Sequence, residues 1–318
     1  MDLFDHPDNP VPEGGLCAEV RTVDGHALRT ARWMPSHRPL KGTVTLLQGR
    51  AECIEKYFET IADLRARGFA VVTFDWRGQG GSARLLRNAR RGHVDDFADF
   101  VVDLETVMRE VTLAHMPGPH NILAHSTGGL VLLLAARRLR TQIERAVLSA
   151  PLIGLGKVGL SQGLVCPLSA ALSAIGLGTA SVPRFGPNAS IAFEGNPLTS
   201  DATRFHRIET VLDARRDLEI DMPTIDWLAA ACRAMRQVTG PDFGPAMSLP
   251  ILIVAAGQDI IVSTRAAEGF ARQTRSARYL EIAGSRHEIL MEDDLYRDQF
   301  LAAFAAFVAE GAPQAALS

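Results

Sequence analysis

Apolar residues along this chain fall into two kinds of run. One kind is short, dense and rich in Val, Ile and Leu, at 42–49, 69–75, 121–125, 143–150 and 250–257. Such runs predict strands buried on both faces. The other kind recurs at helical spacing. Phe58, Ile61, Ala62 and Leu64 do so within 54–67; Phe97, Phe100, Val101, Leu104, Val107, Met108 and Val111 do so within 96–112. These predict amphipathic helices, and the run from Leu130 predicts another. Residues 18–23 and 26–33 flank Asp24-Gly25, the signal of an edge hairpin. Late in the chain a helix is expected at 263–275, a last strand at 277–283 and a closing helix at 292–309. Strand and helix alternate, which predicts an α/β fold with a mostly parallel central sheet flanked by helices. Catalytic groups in such folds sit at the C-terminal ends of strands.

The alternation breaks between 152 and 247, where Gly, Ser, Ala and Pro accumulate around helical stretches at 203–216 and 224–238. This predicts a helical cap, or lid, inserted between a first core part at 1–151 and a second at 248–318. Leu155, Leu160, Leu164, Ile175, Phe185, Phe193, Phe205, Trp227 and Met235 are expected to divide between packing the cap on the core and lining a cleft. Residues 1–15 and 311–318 read as a flexible lead and a loose tail.

The 318 residues are 47% hydrophobic with a net charge of −3, which suits a globular chain with a sizeable core. Charges of both signs are interspersed, so nucleic acid is not an expected partner. The cluster Arg84, Arg87, Arg90 and Arg91 reads as a solvated loop, with contact to an anionic headgroup or phosphate as the lesser alternative. Cys17, Cys53, Cys166 and Cys232 match no metal-ligand spacing and read as buried thiols of a reducing compartment. The acidic, proline-rich start lacks a secretory pattern. The apolar runs near 130–136 and 168–180 are too short or interrupted to span a bilayer. A cytoplasmic location is the expectation.

The chemistry centres on LAHSTGG at 123–129. An apolar strand runs into Ser126, two glycines follow, and a helix begins. That is the layout of a nucleophile elbow. The turn is strained and strand and helix pass closely, so the flanking positions must be small; Gly128 meets this and Ala124 exceeds it by one methyl. A serine hydroxyl needs a general base, and the base needs an orienting acid. Asp259 follows the penultimate core strand and His287 follows the last, so Ser126, Asp259 and His287 occur in the order this architecture uses. Glu281, Glu288 and Asp75 compete for the acid role: Glu281 falls inside a strand, Glu288 points away if His287 points in, and Asp75 suits a bond to the loop after its own strand. His125 is expected to point to the opposite side of the turn, as a packing or hydrogen-bonding residue. The oxyanion of a tetrahedral intermediate would be bound by the backbone N–H groups of Thr127 and Arg50. The Arg50 side chain has solvent, Glu52 or a charged part of a substrate as alternative partners.

At QGRAECIEKY (48–57), FDWRGQGGS (74–82), LAHSTGG (123–129), PTIDWL (223–228), GQDIIV (257–262) and GSRHE (284–288), the chain resembles the α/β-hydrolase superfamily. Within it, it is similar to the lysophospholipase and monoacylglycerol-lipase-like branch, also grouped with serine-aminopeptidase-like hydrolases. Gln48-Gly49 stands where many relatives have His-Gly, and Ala124 where the common elbow has glycine. The resemblance implies hydrolysis of carboxylic esters of glycerolipids, a helical cap shaping the acyl site, and no cofactor or metal. The leading expectation is a monoacyl lipid ester as substrate, which such an enzyme could reach by transient contact with a membrane surface; the oligomeric state stays open. A small-molecule carboxylesterase is the alternative, with a peptidase behind it. A peptidase would need an acidic anchor for a free amino terminus, with Glu194, Asp201, Glu209 and Asp226 as candidates. A non-catalytic binding protein on the same fold is the remaining reading. Ser126 at the nucleophile position argues against dehalogenation and epoxide hydrolysis, which need a carboxylate there.

Overall fold

The computed structural model describes residues 2–157, 161–182 and 193–310. Its centre is an eight-stranded sheet of order β1-β2-β4-β3-β5-β6-β7-β8. The strands are β1 (Leu16–Arg21), β2 (Ala27–Trp33), β3 (Gly42–Leu47), β4 (Phe69–Phe74), β5 (His120–His125), β6 (Arg145–Ser149), β7 (Ile251–Ala256) and β8 (Ala277–Ile282). The hairpin β1–β2 and the β2–β4 pair are antiparallel; all other pairs are parallel. The mostly parallel sheet expected from the apolar runs is therefore present.

Successive side chains of a strand point to opposite faces, and the core divides accordingly. Ala70, Val72, Ile122, Ala124, Ala146, Leu148, Ile251 and Ile253 face α2 (Phe97–Val107) and α3 (Thr127–Leu139) in one apolar cluster. Val71, Leu123, Val147, Leu252 and Val254 face α1 (Phe58–Ala66) and α8 (Asp294–Ala309) in the other. Covering both faces is why these strands read as continuous apolar runs. The helices start where capping side chains allow: Asp96 accepts from Ala98 N–H and Asp293 from Leu295 N–H.

Between β6 and β7 lies the inserted helical region, with α4 (Gln162–Leu172), α5 (Ala202–Ala214) and α6 (Ile225–Val238). Thr224 caps α6, whose Trp227, Ala231, Met235 and Val238 join the cluster around α2 and α3. After β7, Ser263 caps α7 (Thr264–Gln273). Helix α4 carries Pro167 in its interior, and its Leu164 and Leu168 are exposed. It has no buried apolar face of ordinary width, which is why helical spacing did not announce it. Leu160, Phe185 and the tail at 311–318 lie outside the described residues. Among the described residues no helix is long and apolar enough to cross a membrane.

Two sequence expectations are corrected here. Cys166 on α4 and Cys232 on α6 form a disulfide with Cα atoms 5.6 Å apart, so only Cys17 and Cys53 remain as thiols. Residues far apart in the chain are brought together by two helices whose packing spacing alone does not reveal. The arginine cluster is not a merely solvated loop. Arg84 donates to the carbonyls of Gly78 and Asp217, Arg90 pairs with Glu219 and Asp221, and Arg91 donates to Thr179 O. With the Gly92–Pro223 bridge, this loop ties the inserted region to the core.

Candidate active site

The loops that matter all leave the C-terminal ends of parallel strands. Ser126 follows β5 at φ 49°, ψ −112°, a left-handed strained conformation for a residue with a Cβ. Its N–H donates to Ser149 O at 3.0 Å, and its carbonyl accepts from Gly129 N–H at 3.0 Å, Leu130 N–H at 3.3 Å and Leu152 N–H at 3.0 Å. A Cβ on Gly128 would stand 2.7 Å from Gln48 O and 2.8 Å from Leu47 O, so only glycine lets α3 start this close to the end of β3. Ala124, fully buried, sits between Leu47 of β3 and Leu148 of β6, and its methyl is accommodated.

Asp259 follows β7 and His287 follows β8. The structure brings both to Ser126: His287 Nδ1 is 2.8 Å from Asp259 Oδ2, and His287 Nε2 is 3.1 Å from Ser126 Oγ. The other oxygen of Asp259 accepts the N–H groups of Ile261 and Val262 at 2.8 and 3.0 Å, which fixes the carboxylate plane. A carboxylate at Nδ1 makes that nitrogen the donor, leaving Nε2 to accept from the serine hydroxyl. Such a chain can accept the serine proton as Oγ attacks a carbonyl carbon. The competitors are occupied. Asp75 accepts from Arg29, Gln48, Ile54 N–H and Gly81 N–H. Glu281 accepts from Tyr279, and Glu288 pairs with Lys56.

Thr127 opens α3, and Arg50 sits in the turn after β3. Among the described residues, neither backbone N–H donates to a protein acceptor. The first N–H groups of a helix lack internal partners, which suits an anion.

Beneath the serine lies a buried polar cluster that reasoning from the sequence missed. Glu52 accepts from Gly49 N–H and, at 2.6 Å, from Tyr57 Oη, while Lys56 Nζ lies 2.9 Å from Glu52 and 2.6 Å from Glu288. Burial opposes charge on Glu52, but Lys56, His125 and Tyr57 hold its pKa down to about 2. Through Gly49, this carboxylate braces the turn that carries Arg50. Burial also lowers His125 to about 4, so the ring is neutral, and it packs 4.9 Å from the His287 ring. His125 thus reaches His287 by ring contact rather than turning away from it. The nearness of QGRAE to the elbow was a signal for Glu52; Lys56 one helical turn further on was the other. Glu52, His125 and Glu288 have ligand-capable atoms within 4.8 Å of one another, but Lys56 already supplies their cation. A cavity of about 630 Å³ lined by Leu133, Arg137, Phe243 and Met247 lies elsewhere, toward the C-terminal end of α3, whose N-terminus carries the serine.

The family model described as "Serine aminopeptidase, S33" matches residues 38–294. The chain belongs to this branch of the α/β-hydrolases. The hydrolase is 30% identical over 311 residues to lysophospholipase L2 of Escherichia coli K12, covering 91% of this chain and 86% of the relative. It is also 30% identical over 257 residues to a probable lysophospholipase L2 of Haemophilus influenzae, covering 80% of each. In fold it is similar to a soluble variant of monoglyceride lipase from Saccharomyces cerevisiae bound to a substrate analog, with a TM-score of 0.74 at 19% identity over 95% of this chain and 98% of that one. Taken together, these place the hydrolase among ester-cleaving serine hydrolases in general.

Proposed function

We propose that the protein hydrolyses carboxylic esters of monoacyl lipids, lysophospholipid or monoacylglycerol, with Ser126 as nucleophile, His287 as base and Asp259 as its orienting acid. The observation that carries this is the unbroken hydrogen-bonded run Asp259–His287–Ser126 at the sheet edge, beside two backbone N–H groups that have no acceptor among the described residues. Ser126 Oγ attacks the ester carbonyl carbon while its proton passes to His287 Nε2. The Arg50 and Thr127 N–H groups bind the oxyanion. The tetrahedral intermediate collapses, the alcohol leaves with the proton from His287, and an acyl-Ser126 ester remains. Water, deprotonated by His287, then attacks that ester and releases the fatty acid. Each oxyanion donor contributes about 3 kcal/mol to the transition state.

The monoacyl lipid is favoured by the lysophospholipase relatives and by the inserted region, read here as a cap at 152–247 between core parts at 1–151 and 248–318. An acyl chain gains about 0.8 kcal/mol per methylene buried. The aminopeptidase alternative loses support. Asp201 pairs with Arg204, Glu209 with His206, and Asp226 accepts from Ser173, so three of the four acidic anchors are already engaged. The lipid would be met at a membrane surface. The Cys166–Cys232 bond removes the thiol pattern as a reason to place the protein in a reducing cytoplasm.

The test is a panel of lysophosphatidylcholine, monoacylglycerol, short p-nitrophenyl esters and aminoacyl amides, with Ser126→Ala as control. Turnover of the monoacyl lipids that disappears in folded Ser126→Ala is the expected result. Retained esterase activity in that variant would overturn the assignment of the nucleophile, and preference for the short esters would overturn the substrate.

A further inference from the structure

Arg50 offers its backbone to the oxyanion, and its side chain is an observation of its own. The guanidinium runs under the inserted region, where Nη1 donates to the Asp221 carbonyl at 2.8 Å. Its Cζ lies 5.9 Å from the Trp227 ring centroid. Room for it exists because position 92 is glycine: a Cβ there would stand 3.2 Å from Arg50 Nη1 and 2.9 Å from Ile220 Cδ1. Among the described residues the remaining guanidinium N–H groups have no acceptor, and no carboxylate lies within salt-bridge distance. The nearby acids are committed elsewhere. Glu52 is taken by Lys56, Tyr57 and Gly49, and the Asp221 carboxylate pairs with Arg90. Burial pulls the Arg50 pKa down to about 10, against the pull of Asp221 and Glu52, so the group stays charged at neutral pH. A guanidinium beside an indole, tied to the protein by one Nη1 bond, keeps its Nε and Nη2 N–H groups for an anion.

A half-buried cation with an open fork, on the residue that also binds the oxyanion, calls for an anion attached to the substrate. In a monoacyl glycerophospholipid the phosphate is separated from the scissile ester by only the glycerol backbone. From this we infer that the Arg50 side chain is a specificity-determining residue that binds the phosphate of the leaving alcohol, selecting lysophospholipid over monoacylglycerol. The inference rests on the monoacyl-lipid reading above. It extends that reading by naming which of the two esters is preferred and what recognises it.

The test compares kcat/KM for lysophosphatidylglycerol and for a monoacylglycerol of the same acyl chain, in wild type, Arg50→Met and Arg50→Lys. Methionine keeps the apolar stem on Trp227 and removes the charge; lysine restores charge without the fork. The ratio of the two kcat/KM values is expected to fall about tenfold to a hundredfold in Arg50→Met, the size of a lost charged hydrogen bond, and to recover in part in Arg50→Lys. Glycerol phosphate should inhibit wild-type cleavage of a p-nitrophenyl ester competitively, with inhibition weakened by the same factor in Arg50→Met and absent for glycerol. If both substrates lose activity in proportion, Arg50 acts only as a tie to the inserted region and the inference falls. If wild type prefers neither monoacyl lipid over the short esters, the substrate reading falls instead. Should Arg50→Met not fold, an unchanged ratio in Arg50→Lys together with no inhibition of wild type by glycerol phosphate overturns the inference.

Discussion

The contact between Gly128 and the end of β3 makes a sharp prediction for Gly128→Ala. The added methyl would stand 2.7 Å from Gln48 O and 2.9 Å from Leu47 Cβ, about 0.7 Å short of ordinary contact at the first of these. Both neighbours belong to the strand and turn leading to Arg50, and Leu47 is fully buried, so neither can swing aside as a surface side chain would. Overpacking of this kind costs about 1–3 kcal/mol of stability. The effect on catalysis should be larger in proportion. Relief requires α3 and the Gln48-Gly49-Arg50 turn to part, and those two segments carry the two N–H groups proposed to bind the oxyanion. Misplacing one donor is worth about 3 kcal/mol, or about a hundredfold in rate. We expect kcat on a short p-nitrophenyl ester to fall about a hundredfold with KM little changed, while the denaturation midpoint drops by the smaller amount. A folded Gly128→Ala variant with kcat within about threefold of wild type would refute the idea that this contact sets the oxyanion geometry.

Ala124→Gly makes the opposite case. The methyl fits between Leu47 and Leu148, so its removal should cost about 1 kcal/mol of stability and leave kcat/KM within about tenfold; a larger loss means the turn depends on that methyl. Glu52→Gln should act on both stability and rate. The folded pKa of about 2 lies below the ordinary 4.5, so the carboxylate contributes stability above pH 4.5 that is lost as pH falls through about 2. The variant should therefore be clearly weaker at pH 7 and approach wild type near pH 2, as read from urea midpoints. Its kcat should also fall, because Gly49 N–H loses its anionic acceptor. Equal midpoints at pH 7 would show that Glu52 braces nothing.

Much of this molecule was legible from the chain alone because local chemistry and position along the chain coincide. Strands buried on both faces must be continuous apolar runs, and parallel strands place their following loops at one edge. Ser126, Asp259 and His287 each follow such a strand, so their order was enough to predict that they meet. The glycine at 128 was likewise demanded by a strand and helix crossing closely. What the sequence could not show depends on partners far apart in the chain with no shared period. Lys56 reaches Glu288, Cys166 meets Cys232, and Arg90 meets Asp221 only because packed layers put them there. The side-chain role of Arg50 is of the same kind. Its residue type offered solvent, Glu52 or a substrate charge on equal terms. Tertiary packing gave Glu52 to Lys56 and set the guanidinium beside Trp227 and the Asp221 carbonyl, which leaves a substrate charge as the role proposed for its remaining N–H groups. Sequence determines which groups are carried and on which strand ends; burial and competition among distant charges, set only in the folded molecule, determine which of those groups is left free to bind.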